Sequence, residues 1–138
     1  MDKRSYYTSF KVVLFTGLFF ISGCEMQQSE ETGLLEGVIS IGPICPVETD
    51  PPDPHCLPTA ETYKAYPVGV WTTDGTRKIT LINPALGGSY RTELAPGDYL
   101  VILDSEQNTI TKSNLPVGVS IISHDKTILN IVIDTGIR

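Results

Sequence analysis

The feature that most limits this chain is how often it is interrupted. Ten prolines and twelve glycines are spread through 138 residues, and the apolar residues between them alternate over short runs. Proline removes a backbone donor and ends helices, so a helical bundle is excluded. Short alternating runs separated by turn residues predict strands instead. Leu35, Gly37, Ile39 and Ile41 share one face of a first strand, with Glu36, Val38 and Ser40 on the other. Tyr66–Thr73 leads into an Asp74-Gly75 turn, and Lys78–Ile82 ends at Asn83-Pro84. Ser89–Leu94 and Tyr99–Leu103 are joined through Ala95-Pro96-Gly97-Asp98, where Pro then Gly suits a type II turn. Asn108–Thr111 suits a short edge strand, and Val119–Ile122 and Thr127–Ile133 complete the pattern. About seven strands and no helix are expected, which makes the fold class all-β, a single antiparallel β-sandwich.

The first residues stand apart from this pattern. Lys3, Arg4 and Lys11 form a basic start, and Val12–Cys24 is an uncharged run of thirteen residues. A membrane-spanning helix needs about 20, so the run has the length of a signal peptide. Ile21-Ser22-Gly23-Cys24 resembles the bacterial lipobox, with Ile where Leu is usual. The resemblance implies that residues 1–23 are cleaved, that the Cys24 thiol carries diacylglycerol and that its new amino group carries a further acyl chain. Two or more chains are what stable anchoring requires. The alternative is an ordinary cleaved signal beside an incidental cysteine.

Cleavage takes away three cations and one anion, leaving seven Lys/Arg against fifteen Asp/Glu, about −8 over 115 residues. That charge is repelled by anionic lipid, so an anchor rather than a basic patch has to hold the chain. It also excludes a nucleic-acid binder, whose affinity comes from cations neutralising phosphates. The expected organisation is a signal peptide over 1–23, a lipidated, flexible tether over 24–33 and a sandwich over 34–138.

Six of the ten prolines fall between Pro43 and Pro58, too many for any ladder, so this stretch is a loop at the edge or end of the sheet. Cys45 and Cys56 bracket it. With Cys24 acylated, these are the two thiols left to an exported chain, and they are expected to form a disulfide. A metal site that added His55 matches no zinc spacing. Glu48, Asp50 and Asp53, with His55, mark the loop as the candidate binding site, for calcium, a glycan or a cationic partner. Calcium wants six or more oxygens, and no known loop signature is present.

The stretch from Leu34 to Ile133 resembles the carboxypeptidase regulatory-like domain, a transthyretin-like (prealbumin-like) sandwich found on bacterial surface proteins. Gly37-Val38-Ile39, Val68-Gly69-Val70, Asp74-Gly75, Gly88-Ser89-Tyr90 and Leu94-Ala95-Pro96-Gly97-Asp98-Tyr99-Leu100-Val101 carry it. The proline-rich insertion departs from the common pattern. Collagen-adhesin relatives are locked by a Lys–Asn isopeptide bond. Asn130 is present in the last strand, but no lysine lies in Leu34–Ile41, so that crosslink is not expected. Hydroxyisourate hydrolase shares the fold, but its Tyr-Arg-Gly-Ser ending is absent here.

Asp134-Thr135-Gly136 is the triplet of aspartic proteases, whose chemistry needs two such aspartates and most of a fold after the triplet; here it reads as a strand end. Trp71, Tyr63, Tyr66, Tyr90 and Tyr99 offer an aromatic platform for sugar or peptide, but a buried sandwich tryptophan is the favoured role for Trp71. His55 and His124 sit in turns and are expected at the surface. No phosphate loop, serine elbow or cofactor motif is present, and no cofactor is expected. The expectation is a non-catalytic binding or structural module of the cell envelope, lipid-anchored to the outer face of the cytoplasmic membrane or to the outer membrane. Its partners are the membrane lipid at Cys24 and an envelope protein or glycan. An enzyme on the same scaffold is the remaining class.

Overall fold

The computed structural model describes residues 31–47, 49–105 and 110–138. The signal segment, Cys24, Glu48 and the start of the expected Asn108–Thr111 strand lie outside them. Nine strands and two short helical turns occur among the described residues. They are β1 (Gly33–Gly42), α1 (Ala60–Ala65), β2 (Val68–Trp71), β3 (Lys78–Ile82), β4 (Ser89–Leu94), β5 (Gly97–Leu103), β6 (Lys112–Ser113), β7 (Val117–Ile121), β8 (Lys126–Ile128) and β9 (Ile131–Asp134). A 3-10 turn over Pro54–Cys56 precedes α1.

Two sheets face each other. One runs β4-β1-β9-β6 with β8 also on β1, and the other runs β3-β2-β5-β7. Between them lie Leu35, Ile39 and Ile41 from β1, Val68 and Val70 from β2, Ile82, Leu94, Val101, Ile121, Ile131 and Ile133, all buried. The β1 residues are those the alternation assigns inward, because a period of two sends every second side chain to one face. The sandwich is thus all-β, as expected, but one sheet is mixed. Both β8 and β9 run parallel to β1, from Leu34↔Lys126 to Gly42↔Asp134, in a single register. A hydropathy pattern carries no strand direction, so this departure was invisible in it.

The expected Thr127–Ile133 strand is divided for a specific reason. At the gap the Leu129 carbonyl accepts the Tyr90 hydroxyl at 2.6 Å, and the Asn130 side chain accepts the Val38 N–H at 3.1 Å. A Cβ at Gly37 would stand 2.0 Å from the Leu129 oxygen, so glycine alone admits this crossing. Burial pushes the Tyr90 hydroxyl up to about 12.

Two turns follow their residues closely. Asp74 Oδ1 accepts the Thr72 hydroxyl (2.5 Å), the Thr76 N–H (3.0 Å) and the Thr76 hydroxyl (2.8 Å). Those bonds, the Thr72 hydroxyl foremost, pull its carboxyl down to about 2. The Ala95–Asp98 connection is not the expected type II turn. Gly97 lies at φ +151, a value suited to glycine and already inside β5. Tyr99 closes the corner by donating its hydroxyl to the Ala95 carbonyl at 2.8 Å.

Helix α1 was not expected. Its six residues are too few to be stable on propensity. Thr59 and Thr62 cap it reciprocally, the Thr62 N–H donating to the Thr59 hydroxyl oxygen and the Thr59 N–H to that of Thr62. Tyr63 is buried beneath it. No helix among the described residues is long and apolar enough to cross a membrane.

Candidate functional site

The proline-rich loop leaves the end of β1 and is closed by the Cys45–Cys56 disulfide (S–S 2.08 Å, Cα–Cα 5.4 Å). The expected pairing is therefore present. Thr135, buried after β9, fastens the loop's start by donating its hydroxyl to the Pro43 carbonyl at 2.5 Å and its N–H to the Gly42 carbonyl at 3.1 Å. Behind the disulfide lies a cavity of about 310 Å³ lined chiefly by Ile41, Pro43, Ile44, Pro52, Leu57 and Pro58.

The loop's charged residues do not converge. Asp50, Asp53 and His55 are all exposed. Asp53 caps the 3-10 turn, accepting the His55 N–H at 2.9 Å, so one carboxylate oxygen is already engaged. Among the described residues no group of three or more His, Cys, Asp or Glu is placed to hold a metal ion. Glu48 lies outside the described residues.

Asp134-Thr135-Gly136 ends β9 as a local turn. Asp134 accepts the Gly136 N–H at 2.9 Å and pairs with the Arg138 guanidinium at 2.9 Å. The Arg138 bond first, then the Gly136 N–H, holds the Asp134 carboxyl below the ordinary carboxylate range. Thr135 is occupied by the loop, and Gly136 stands at φ +77.

The second sheet's outer face carries a cluster that sequence reasoning misplaced. Trp71 is not a core residue: Val68 and Val70 take the inward positions, so Gly69 and Trp71 face out. The indole lies back across Gly69, where a Cβ would meet Trp71 Nε1 at 2.6 Å and Asp104 Oδ2 at 3.1 Å. Lys78, opposite Trp71 in the β2–β3 pair, places its ammonium 5.0 Å from the indole centroid and ion-pairs with Asp104. The Asp104 side chain is only 15% exposed, and its backbone N–H donates to the Pro67 carbonyl at 2.7 Å. Trp71 Nε1 is buried and has no hydrogen-bond partner among the described residues. These groups floor an open trough of about 740 Å³, completed by Lys64, Ala65, Pro67, Leu81, Leu103 and Ser105. A smaller hollow of about 360 Å³ adjoins it through Lys64, Pro67 and Leu81.

The five-membered aromatic platform does not assemble. Tyr63 and Tyr90 are buried, Tyr66 packs against the core and Tyr99 is tied to Ala95, leaving Trp71 alone among the five in the lining of the trough. The signal that could have found the cluster is Gly69 two positions before Trp71: on a strand those positions share a face, and a glycine leaves room for the ring.

No family model matches the chain, and no curated protein does. Solved structures do. The minor pilin GBS52 of Streptococcus agalactiae superposes with a TM-score of 0.50 at 15% identity, over 75% of this chain and 44% of that one. A DUF3823 family protein from Parabacteroides merdae gives 0.44 at 14% identity, over 74% and 45%. The chain thus spans less than half the length of either. The pilin shares the β-rich fold found here.

Proposed function

We propose that this chain is a cell-envelope lipoprotein, exported, cut before Cys24 and held by acyl chains on that residue. Its sandwich, of the carboxypeptidase regulatory-like kind, serves as a non-catalytic structural or binding module. The observation that carries the reading is Ile21-Ser22-Gly23-Cys24 at the end of an uncharged run that is too short to span a bilayer and follows a basic start. The Cys45–Cys56 disulfide supports it, because such bonds persist in oxidising compartments outside the cytoplasm. The charge of the cleaved chain supports it as well, since an acidic protein needs a lipid rather than cations to stay at a membrane.

Intact mass of detergent-extracted protein, alkylated before and after reduction, tests both parts. A mass beginning at Cys24 plus acyl chains, with two thiols appearing only on reduction, is expected. An unlipidated mass would overturn the anchor. A purified protein that turns over an envelope substrate, and loses that activity on substitution of one polar residue, would overturn the non-catalytic role.

A further inference from the structure

We propose that the trough over Trp71, Lys78 and Asp104 is a glycan-binding subsite that seats a neutral sugar ring against the indole. A pyranose has a face of C–H groups and a rim of hydroxyls, so its binder needs a flat apolar surface beside donors and acceptors. This face of the protein has both. Leu81 and the part of the Trp71 indole that the Lys78 ammonium, 5.0 Å from its centroid, leaves open supply the apolar surface, the Asp104 carboxylate accepts hydroxyls, the Lys78 ammonium donates, and the Ser105 hydroxyl does either.

Three observations favour a ligand over a merely solvated surface. The outer face of a sheet with a packed inner face needs no tryptophan, yet here a tryptophan and a carboxylate are both folded down onto it. Gly69 makes that possible, since any side chain there would displace the indole and crowd Asp104. The cation over the ring and the carboxylate beside it hold each other in place, so the polar groups are set before a ligand arrives. Their charges cancel, which favours a neutral ligand over an ion. The trough, about 740 Å³, falls within the ordinary range of ligand sites, about 300–1,000 Å³. A peptide added to the edge of β3 is the competing occupant, but it would bind through backbone groups and would not need Trp71 or Asp104.

The inference is independent of the lipid anchor, so failure here leaves the anchor reading standing, and the mass measurement decides that one separately. Trp71 is the chain's one tryptophan, so its emission reports on this site alone. The full chain is titrated with maltotetraose, xylotetraose, mannotetraose and the tetramer of N-acetylglucosamine, and with a Thr-Val repeat peptide as the strand-forming control. A saturable emission shift with at least one sugar and none with the peptide is expected. In native gels containing the matching polysaccharide, Trp71→Ala and Asp104→Asn should each weaken retardation about tenfold. Asp104→Asn preserves shape and keeps the test valid if Trp71→Ala fails to fold. No shift with any of the four sugars, a shift with the peptide instead, or sugar binding that survives the substitutions would each overturn the proposal.

Discussion

The proline-rich loop and the Trp71 face invite opposite conclusions in sequence and in space. Asp50, Asp53 and His55 crowd a few positions, yet they stand exposed, and Asp53 spends its acceptor on a neighbouring N–H. Trp71, Lys78 and Asp104 are scattered over three segments, yet they meet on one sheet face around the space left by Gly69. Nearness along a chain rich in prolines does not create convergence, because proline holds the backbone extended and removes the N–H groups that would pair it with a neighbouring segment. Neighbouring strands do create it, because hydrogen bonding fixes which side chains stand side by side.

If the loop is chiefly a stiff closure, its disulfide should matter more than its charges. Replacing Cys45 and Cys56 together with serine is expected to lower stability by about 3 kcal/mol through lost chain constraint. Urea unfolding should show this as a lower midpoint, with the folded-state emission of Trp71 unchanged. An altered native emission would mean that the two regions are coupled.

Lys78→Ala is the corresponding cut on the other face. It leaves the mostly buried Asp104 carboxylate without its cation, at a cost of about 2 kcal/mol, and it should shift Trp71 emission in the native state. A loss of stability with no spectral change would detach the ion pair from the indole and weaken the comparison.

Tyr90 tests the core shared by both regions. Its hydroxyl, pushed up to about 12 by burial, is neutral in the folded protein where a free tyrosine titrates near about 10. Its contribution is therefore complete below about pH 10 and is lost as pH rises through about 12. Thermal melts over that window should fall more steeply for the native chain than for Tyr90→Phe. At neutral pH that variant should be about 1 kcal/mol less stable, because the Leu129 carbonyl loses its donor.

The smallest effects belong to the loop's charges. Asp53→Ala should cost about 1 kcal/mol as a lost cap, and Asp50→Asn less than about 0.5 kcal/mol. Calcium should not raise the melting temperature of either variant or of the native chain. A calcium-dependent rise that Asp50→Asn removes would reverse the ranking of the two regions.

Much of the fold was legible. Lys78–Ile82 and Ser89–Leu94 were bounded correctly because Asn83-Pro84, Gly88 and Ala95-Pro96 stop them locally. The disulfide followed from a count of cysteines. Helix α1 was missed because six residues show no period, and only the Thr59/Thr62 pair announces it. Trp71 was misassigned because residue size outweighed the alternation that already placed Val68 and Val70 together. Of the candidate sites, the loop was recognised as a loop, but its exposed, separated carboxylates could be known only from where its backbone runs.

What the sequence determined by itself is therefore the part set by local chemistry: most of the strands from β1 to β5, the turn positions between them, the inward face of β1, the cysteine pair and the expectation of export. Tertiary structure alone decided that β8 and β9 run parallel to β1, that Leu129 crosses over Gly37 and that Trp71, Lys78 and Asp104 share one trough. The physical reason is range. Turns and alternation depend on residues a few positions apart, whereas strand direction and side-chain convergence are settled by which distant segments bury their apolar faces together.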